Sequence, residues 1–287
     1  MSARSAGPVA RRPAAEVLRI AASMTVTCIA GAAILGAVYL GTSHRREQVE
    51  HAAERRAVTE LLALDAGAGL LEVRQYLHPA RREVLYRAAR FGEAEAAARE
   101  VTFTLDGTLV GTRERTAGEP VAEGLEPLGR LFVATRAGAP AGFVVEGSAR
   151  GYKNRIRFFV ALDSAFQVAG VRVLEHEEDP GLGAEIATPW FEGQYIGRSA
   201  GDVAKLTVTK DPMPEDWRAA LAGLARTPVA DWRVKHGALL AREGPKPIYA
   251  VTGATISSRA LTDGLRTTVD HFRRRWALLG PQLAEGA

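Results

Sequence analysis

Apolar and polar positions change period several times along the chain, and each change marks an element. Ile20 to Leu40, IAASMTVTCIAGAAILGAVYL, runs without a charge. As a helix rising about 1.5 Å per residue it spans ~30 Å, one bilayer core, so one transmembrane helix is predicted. A cleaved signal peptide would have an apolar region of only ~7–15 residues, and a soluble helix would keep a polar face that scattered Ser and Thr do not make. From His44 to Leu64, Val49, Ala53, Ala57, Leu61 and Leu64 recur at helical spacing among charges, until Asp65-Ala-Gly-Ala-Gly69 interrupts them. This predicts a helical stalk at the membrane surface, its charge run a solvated face. A further mixed helix is expected around Ala80 to Glu100.

The period then falls to two. VTFTL and TLVGT flank Asp106-Gly107, a dipeptide favouring a two-residue primed hairpin turn. LFVATR and GFVVEG predict a second hairpin. Arg155 to Leu162 and Gln167 to Leu174 predict a third, joined through Asp163 and Ser164, and Lys205 to Thr209 one more strand. Asp211 to Lys246, rich in Pro, Ala and Arg with Trp217 and Trp232, reads as a helical insertion. Ile248 to Val251 is a short apolar strand, and Ile256, Ala260, Leu261, Leu265, Val269, Phe272 and Trp276 make the apolar stripe of a C-terminal helix. The expected fold class is α+β: a single transmembrane helix followed by a largely antiparallel sheet with flanking helices. Its divisions are a tail at 1–19, the span at 20–40, the stalk at 41–69 and the domain at 70–287.

Composition narrows the function. With 287 residues, 47% hydrophobic and 24% charged, the chain is globular rather than disordered or multi-spanning. The single Cys28 excludes an internal disulfide, a four-thiolate zinc site and a cysteine-held iron–sulfur cluster. The net charge of +4 comes largely from the tail: without residues 1–42, which carry Arg4, Arg11, Arg12, Arg19 and Glu16, 33 basic face 32 acidic groups. No nucleic-acid footprint is expected from so balanced a domain. Arg4, Arg11, Arg12 and Arg19 before the span match Arg45, Arg46, Arg55 and Arg56 after it, so charge alone leaves the orientation undecided.

Common catalytic signatures are missing. Gly181-Leu-Gly183-Ala-Glu-Ile186 has Ile where a dinucleotide fingerprint needs its third Gly, and no βαβ unit surrounds it. The six histidines show no metal-ligand spacing, and no G-x-S-x-G elbow occurs; neither a metal nor a catalytic residue is expected. Two segments remain. Glu175-His-Glu-Glu-Asp-Pro-Gly-Leu-Gly183 is an acidic run ending in a glycine-flanked turn, which could let backbone approach a flat ligand or could be a solvated turn. Thr252-Gly-Ala-Thr-Ile-Ser-Ser258 joins the short strand to the last helix, expected to begin near Ser257. Its small residues uncover Thr255 beside a positive helix end that could hold or esterify a phosphate. Alternatively Thr255, Ser257 or Ser258 caps the helix.

Taken together and in this order, the two segments resemble the G subunit of the Rnf electron transport complex, and more distantly the C subunit of the Na⁺-translocating NADH:quinone reductase. That family's flavinylation signature is met by Thr252, Gly253, Ala254 and Thr255, continued by Ile256, Ser257 and Ser258. Its acidic turn is met by His176, Glu178, Pro180, Gly181, Leu182 and Gly183, its aromatic segment by Trp190, Phe191, Gln194 and Tyr195, and its Gly-Tyr start by Gly151-Tyr152. Tyr249 stands where the signature has Asp, Asp179 where the turn has Thr, and Lys153-Asn154 where a glycine-rich pair is usual. The resemblance is dense from about Gly151 to Leu265. It implies an FMN-binding domain with FMN bound covalently by a phosphoester to Thr255. Thr252, Gly253, Ala254, Ser257 and Ser258 would hold the phosphate, and Glu178, Pro180, Gly181, Leu182 and Gly183 would lie near the ring. It further implies an electron relay in an ion-translocating ferredoxin:NAD⁺ oxidoreductase, with other membrane and redox subunits as partners and a flavin transferase for maturation. The place implied is the inner membrane, single-pass, the tail cytoplasmic and the domain periplasmic. The alternatives are a component of a quinone reductase, a free-standing flavinylated reductase, or a non-catalytic tethered sensor or scaffold.

Overall fold

The computed structural model describes residues 14–63, 68–91, 97–116, 119 and 123–284. Most of the expected tail, with Arg4, Arg11 and Arg12, and the expected stop at 65–67 lie outside the described residues. The chain divides into two units, Met1–Arg55 and Arg56–Ala287. Helix α1 (Ala14–Leu61) fills the described part of the first and contributes its last turns to the second. Within it Leu18–Tyr39, of mean hydropathy 1.9 and with no part buried, is long and apolar enough to cross a membrane.

The second unit is built on eight strands: β1 (Gly69–His78), β2 (Glu83–Arg90), β3 (Ala98–Thr104), β4 (Leu109–Arg115), β5 (Glu126–Arg136), β6 (Ala139–Arg150), β7 (Arg155–Asp163) and β8 (Val168–Glu175). They lie in the order β4-β3-β2-β1-β5-β6-β7-β8, every neighbour antiparallel. The chain continues through α2 (Pro189–Glu192), α3 (Ala200–Ala204), β9 (Val208–Thr209), α4 (Glu215–Ala222), α5 (Val229–Lys235), α6 (Gly237–Glu243), β10 (Ile248–Tyr249) and α7 (Thr255–Ala284). The three expected hairpins and the helical insertion are present. Strands β9 and β10 form a separate parallel pair.

The helix expected around Ala80 to Glu100 is instead a turn, strand β2 and the start of β3, with 92–96 outside the described residues. Helix-forming composition there is overridden by pairing on both sides: Val84, Tyr86 and Ala88 alternate into the core, and the buried Arg87 bonds Glu100 across the ladder at 2.6 Å. Residues 70–78, for which no element was expected, form β1 at the centre of the sheet. The loop at Asp106-Gly107 spans three residues rather than two. Thr104 and Thr108 close it at 2.9 Å and Gly107 takes φ +89°, the arrangement of a type I turn followed by a left-handed residue. The Asp163 hairpin repeats it, with Phe166 at φ +58° and the Asp163 carboxylate accepting from the amides of Ala165 and Gln167, each at 2.9 Å.

The central strands are apolar on both faces because both are covered. Val145, Phe158 and Val160 pack toward Leu265, Val269 and Phe272 of α7, while Val144, Phe159 and Ala161 pack toward Val58 and Leu61 of α1. Leu61 is therefore a core residue of the domain rather than part of a solvated stalk; Val49 and Ala53 lie where side chains are not described. Burying a side chain such as Phe158 contributes about 1.5–3 kcal/mol, and α7 reaches this contact distance because a Cβ on Gly147 or Gly264 would strike Thr268 or Ala149. Of the predicted stripe, Leu261, Leu265, Val269 and Phe272 are buried, but Ile256 is 58% exposed, since α7 begins at Thr255 and its first turn stands clear of the sheet.

Helix α2 is tied to β8 by Glu192, whose carboxylate is buried, accepts the Val173 amide at 2.7 Å and lies 3.6 Å from Arg172. Burial pushes its pKa up to about 8, against the opposing pull of that amide and of Arg172. A carboxyl raised in the fold binds a proton that the unfolded chain releases, so its contribution is complete below the ordinary carboxylate range and is lost as pH rises to about 8. The expected outcome is a Tm that declines between about pH 4.5 and 8, with Glu192→Gln flattening that decline. Thermal melts of both proteins across this window check it; identical slopes would remove Glu192 as the cause.

Candidate functional site

Strand β8 leaves the sheet at Glu175, and the following turn is closed by the amides of Leu182 and Ala184 on the Asp179 carbonyl, at 3.2 and 3.0 Å, with Gly181 at φ +72°. The acidic run is not simply solvated. Glu178 is 5% exposed; it accepts the Lys153 amide at 3.1 Å and a short hydrogen bond from the Ser257 hydroxyl. One buried carboxylate thus fastens the turn to α7. Gly183 permits this approach, because a Cβ there would lie 2.7 Å from that of Glu178 and 3.1 Å from Ser257 Oγ.

The second wall starts where β10 ends beside β9, the Ala250 amide bonding the Thr209 carbonyl at 2.9 Å. A turn closed by Ala254 N on Val251 O at 3.0 Å follows, with Gly253 at φ +81°, a region costly to any residue with a Cβ. The first amide of α7 to bond backward is that of Ser258, to Ala254 O at 3.1 Å. The amides of Thr255, Ile256 and Ser257 consequently head the helix without helical partners, at its positive end.

Three hydroxyls at this helix start have three different fates. Ser258, fully buried, accepts from Val251 N and donates to Ala254 O, each at 3.0 Å, and so fixes the turn. Ser257 donates to Glu178. Thr255 is half-buried, and among the described residues no protein group hydrogen-bonds its hydroxyl. It faces a cavity of about 660 Å³ lined by Glu178, Leu182 and Gly183 from the acidic turn and by Thr252, Gly253, Ala254, Thr255, Ile256 and Ser257 from the helix start.

Most of the residues singled out in the sequence are therefore brought together. Gly181 instead lines a neighbouring cavity of the same volume with Trp190, Met213 and Tyr249, while Pro180 and Ser258 line neither. Lys210, which no motif marked, lines both cavities. It is exposed and follows β9 directly, so only the β9–β10 pairing brings it beside Thr252. Tyr249 is committed elsewhere: its amide and carbonyl are both held by the Gln194 side chain, at 2.8 and 3.1 Å, and its phenol donates to Glu243 at 3.1 Å. Burial, helped by Glu243, pushes that phenol up to about 12.

Residues 151–270 match the family of FMN-binding domains. This part of the chain is similar to FMN-binding domains. Its relatives include the G subunit of an ion-translocating oxidoreductase complex from Methanosarcina acetivorans, 31% identical over 135 residues, or 47% of this chain and 53% of that protein. The G subunit of the Na⁺-translocating ferredoxin:NAD⁺ oxidoreductase complex of Acetobacterium woodii is 26% identical over 195 residues, 68% of this chain and 72% of that protein. The chain spans about half the length of most of the curated relatives it matches. Among solved structures, that of Shewanella oneidensis NqrC is 14% identical and covers 77% of this chain and 93% of that one, at a TM-score of 0.45. The Thr255 cavity lies within the matched segment, all of its lining falling between Tyr152 and Ser257. Its residues fit such a cofactor: unpaired amides and a cation suit a phosphate, and the volume suits a group of the 300–1,000 Å³ class.

Proposed function

We propose that this chain is the membrane-anchored flavin-bearing component of an Rnf-type ion-translocating ferredoxin:NAD⁺ oxidoreductase complex, relaying electrons through FMN esterified by its phosphate to Thr255. The observation that carries this reading is the Thr255 hydroxyl, without a hydrogen-bond partner among the described residues, at the head of a 30-residue helix and facing the cavity that the acidic turn also lines. When bound, FMN supplies an isoalloxazine that accepts and releases electrons. The chain's own residues supply position. The amides of Thr255, Ile256 and Ser257 and the helix dipole draw the phosphate. Gly253 keeps backbone bare beside it, and Thr252 and Ala254 complete the phosphate wall. Glu178, Leu182 and Gly183 line the side of the cavity toward the ring, with Pro180 and Gly181 shaping the turn.

Glu178, already engaged by Ser257 and the Lys153 amide, is not free to serve as a base. Thr255, a weak nucleophile on its own, then needs a flavin transferase, which would join its hydroxyl oxygen to the FMN phosphorus of FAD as the pyrophosphate breaks, with AMP leaving and the hydroxyl proton released. The apolar segment Leu18–Tyr39 anchors the protein in the inner membrane, the domain on the periplasmic side, where other membrane and redox subunits meet it. Mild detergent extraction from the native host tests this reading: the expected result is a flavin-bearing chain that copurifies with further membrane proteins of the complex, and a colourless protein extracted alone would reject it. Lys210 contributes charge at the rim. Lys210→Gln in protein made without a transferase is expected to weaken binding of free FMN about threefold, as for one exposed charge, measured by flavin fluorescence quenching at low salt; an unchanged Kd would remove Lys210 from the site.

A further inference from the structure

A second cavity, of about 270 Å³, lies between α7 and strands β5 to β7, and shares no lining residue with the flavin cavity. We propose that it binds a small oxyanion of at least two negative charges, carboxylate or phosphate in kind. Three guanidiniums line it, those of Arg155, Arg157 and Arg275, against the single carboxylate of Glu146. That carboxylate is fully occupied: Arg157 reaches one oxygen at 2.6 Å and Arg130 the other at 3.1 Å. Arg157 is in turn also bonded to Glu175 at 3.0 Å. This group is balanced within itself and leaves nothing for the other two cations.

Among the described residues neither Arg155 nor Arg275 has a carboxylate partner. Arg275 is nevertheless held in place, one of its nitrogens donating to the side-chain oxygen of Gln75 at 2.7 Å, and Gln75 is 5% exposed. A buried neutral amide orients the guanidinium without cancelling its charge. Arg155 comes from the opposite wall; it is exposed, and its backbone amide bonds the Asn154 side chain at 2.8 Å. One oriented guanidinium and a second, exposed one on the same small concavity, neither with a carboxylate partner among the described residues, make a positive field there, and guanidinium geometry matches carboxylate and phosphate oxygens two at a time. Leu131, Val145 and Phe272 form an apolar floor, and the hydroxyls of Ser148 and Thr267 line the rim. A volume just below the drug-sized class selects a compact dianion over a peptide segment.

The test uses the full chain in detergent, prepared without flavin, in thermal melts and calorimetric titrations with succinate and, separately, with inorganic phosphate, each against sodium chloride of equal ionic strength. The expected result is saturable binding of at least one dianion with a raised Tm. Arg155→Gln and Arg275→Gln should each weaken it about tenfold, the scale of one charge-assisted bond, while melting in chloride as the parent does. Lys210→Gln should leave succinate binding unchanged, which separates this site from the phosphate end of the flavin cavity; phosphate binding lost in Lys210→Gln but kept in Arg275→Gln would assign phosphate to the flavin cavity and count against this proposal. No saturable binding of either anion, or binding in both arginine variants as tight as in the parent, would overturn it. Flavin attachment, read on the same variants by mass, should be unaffected.

Discussion

If the proposed phosphoester is at Thr255, Thr255→Ala should leave the polypeptide without covalent flavin, while Thr255→Ser should keep it. Expressed with a flavin transferase, the parent chain should gain the mass of one FMN less one water and fluoresce as a denatured band; the alanine variant should show neither. The effect is all-or-none because the oxygen that would carry the phosphorus is the hydroxyl itself. Its neighbours cannot replace it: Ser257 is held by the buried Glu178 and Ser258 by Val251 and Ala254. Serine at 255 retains the oxygen and loses only a methyl group. Since no protein group among the described residues bonds the Thr255 hydroxyl, Thr255→Ala should melt within ~0.5 kcal/mol of the parent, the usual range for a substitution that breaks nothing. A bright band in the alanine variant would refute attachment at 255, and an unfolded one would be exposed by its melt.

Arg198→Ala should unfold the same site without touching it. Arg198 is 3% exposed and donates to four backbone carbonyls: Gln194 at 2.8 Å, Lys246 at 2.7 Å, Glu243 at 3.5 Å and Gly244 by a short bond. Burial lowers its pKa to about 10, so it remains a cation at neutral pH. These carbonyls belong to Gln194 and to the segment just before β10, and the Gln194 side chain also holds both backbone groups of Tyr249. Removing the guanidinium strands buried acceptors costing about 1–3 kcal/mol each, in all about 3–5 kcal/mol, as for breaking a buried charged network. For a domain of this size the Tm should fall by on the order of 10 °C. Flavin attachment should fall with it, since the turn carrying Thr255 grows from β10. Arg198→Lys should restore little, because a point donor cannot reach several carbonyls in one plane. A melt within 2 °C of the parent, read by circular dichroism, would contradict this account.

The candidate site was legible in unequal parts. Thr252 to Ser258 announced a helix start because a strand, small residues and hydroxyls followed one another in sequence, and local capping chemistry is short-range. Which hydroxyl was left over was not legible. That depended on Glu178, 79 residues away from Ser257 along the chain. Lys210 was invisible for the same reason, placed by the pairing of Val208 with Ile248. The error at Ala80 to Glu100 has a related cause: a strand with Ala, Arg and Glu in it follows helix propensity when read alone, and only its neighbours β1 and β3 decide otherwise.

By itself the sequence determined the features that rest on local or additive properties: an uncharged stretch of bilayer length, hairpins with their turn residues, the amphipathic last helix, and a threonine set at that helix's head. Tertiary structure alone decided that the acidic turn meets that helix head, that Ser257 and Ser258 are spent on protein contacts while, among the described residues, Thr255 is not, and that Arg155 and Arg275 line one cavity without carboxylate partners among those residues. The physical reason is that a side chain's free hydrogen-bonding capacity and uncompensated charge are remainders, fixed only after every distant partner has been brought within about 3 Å.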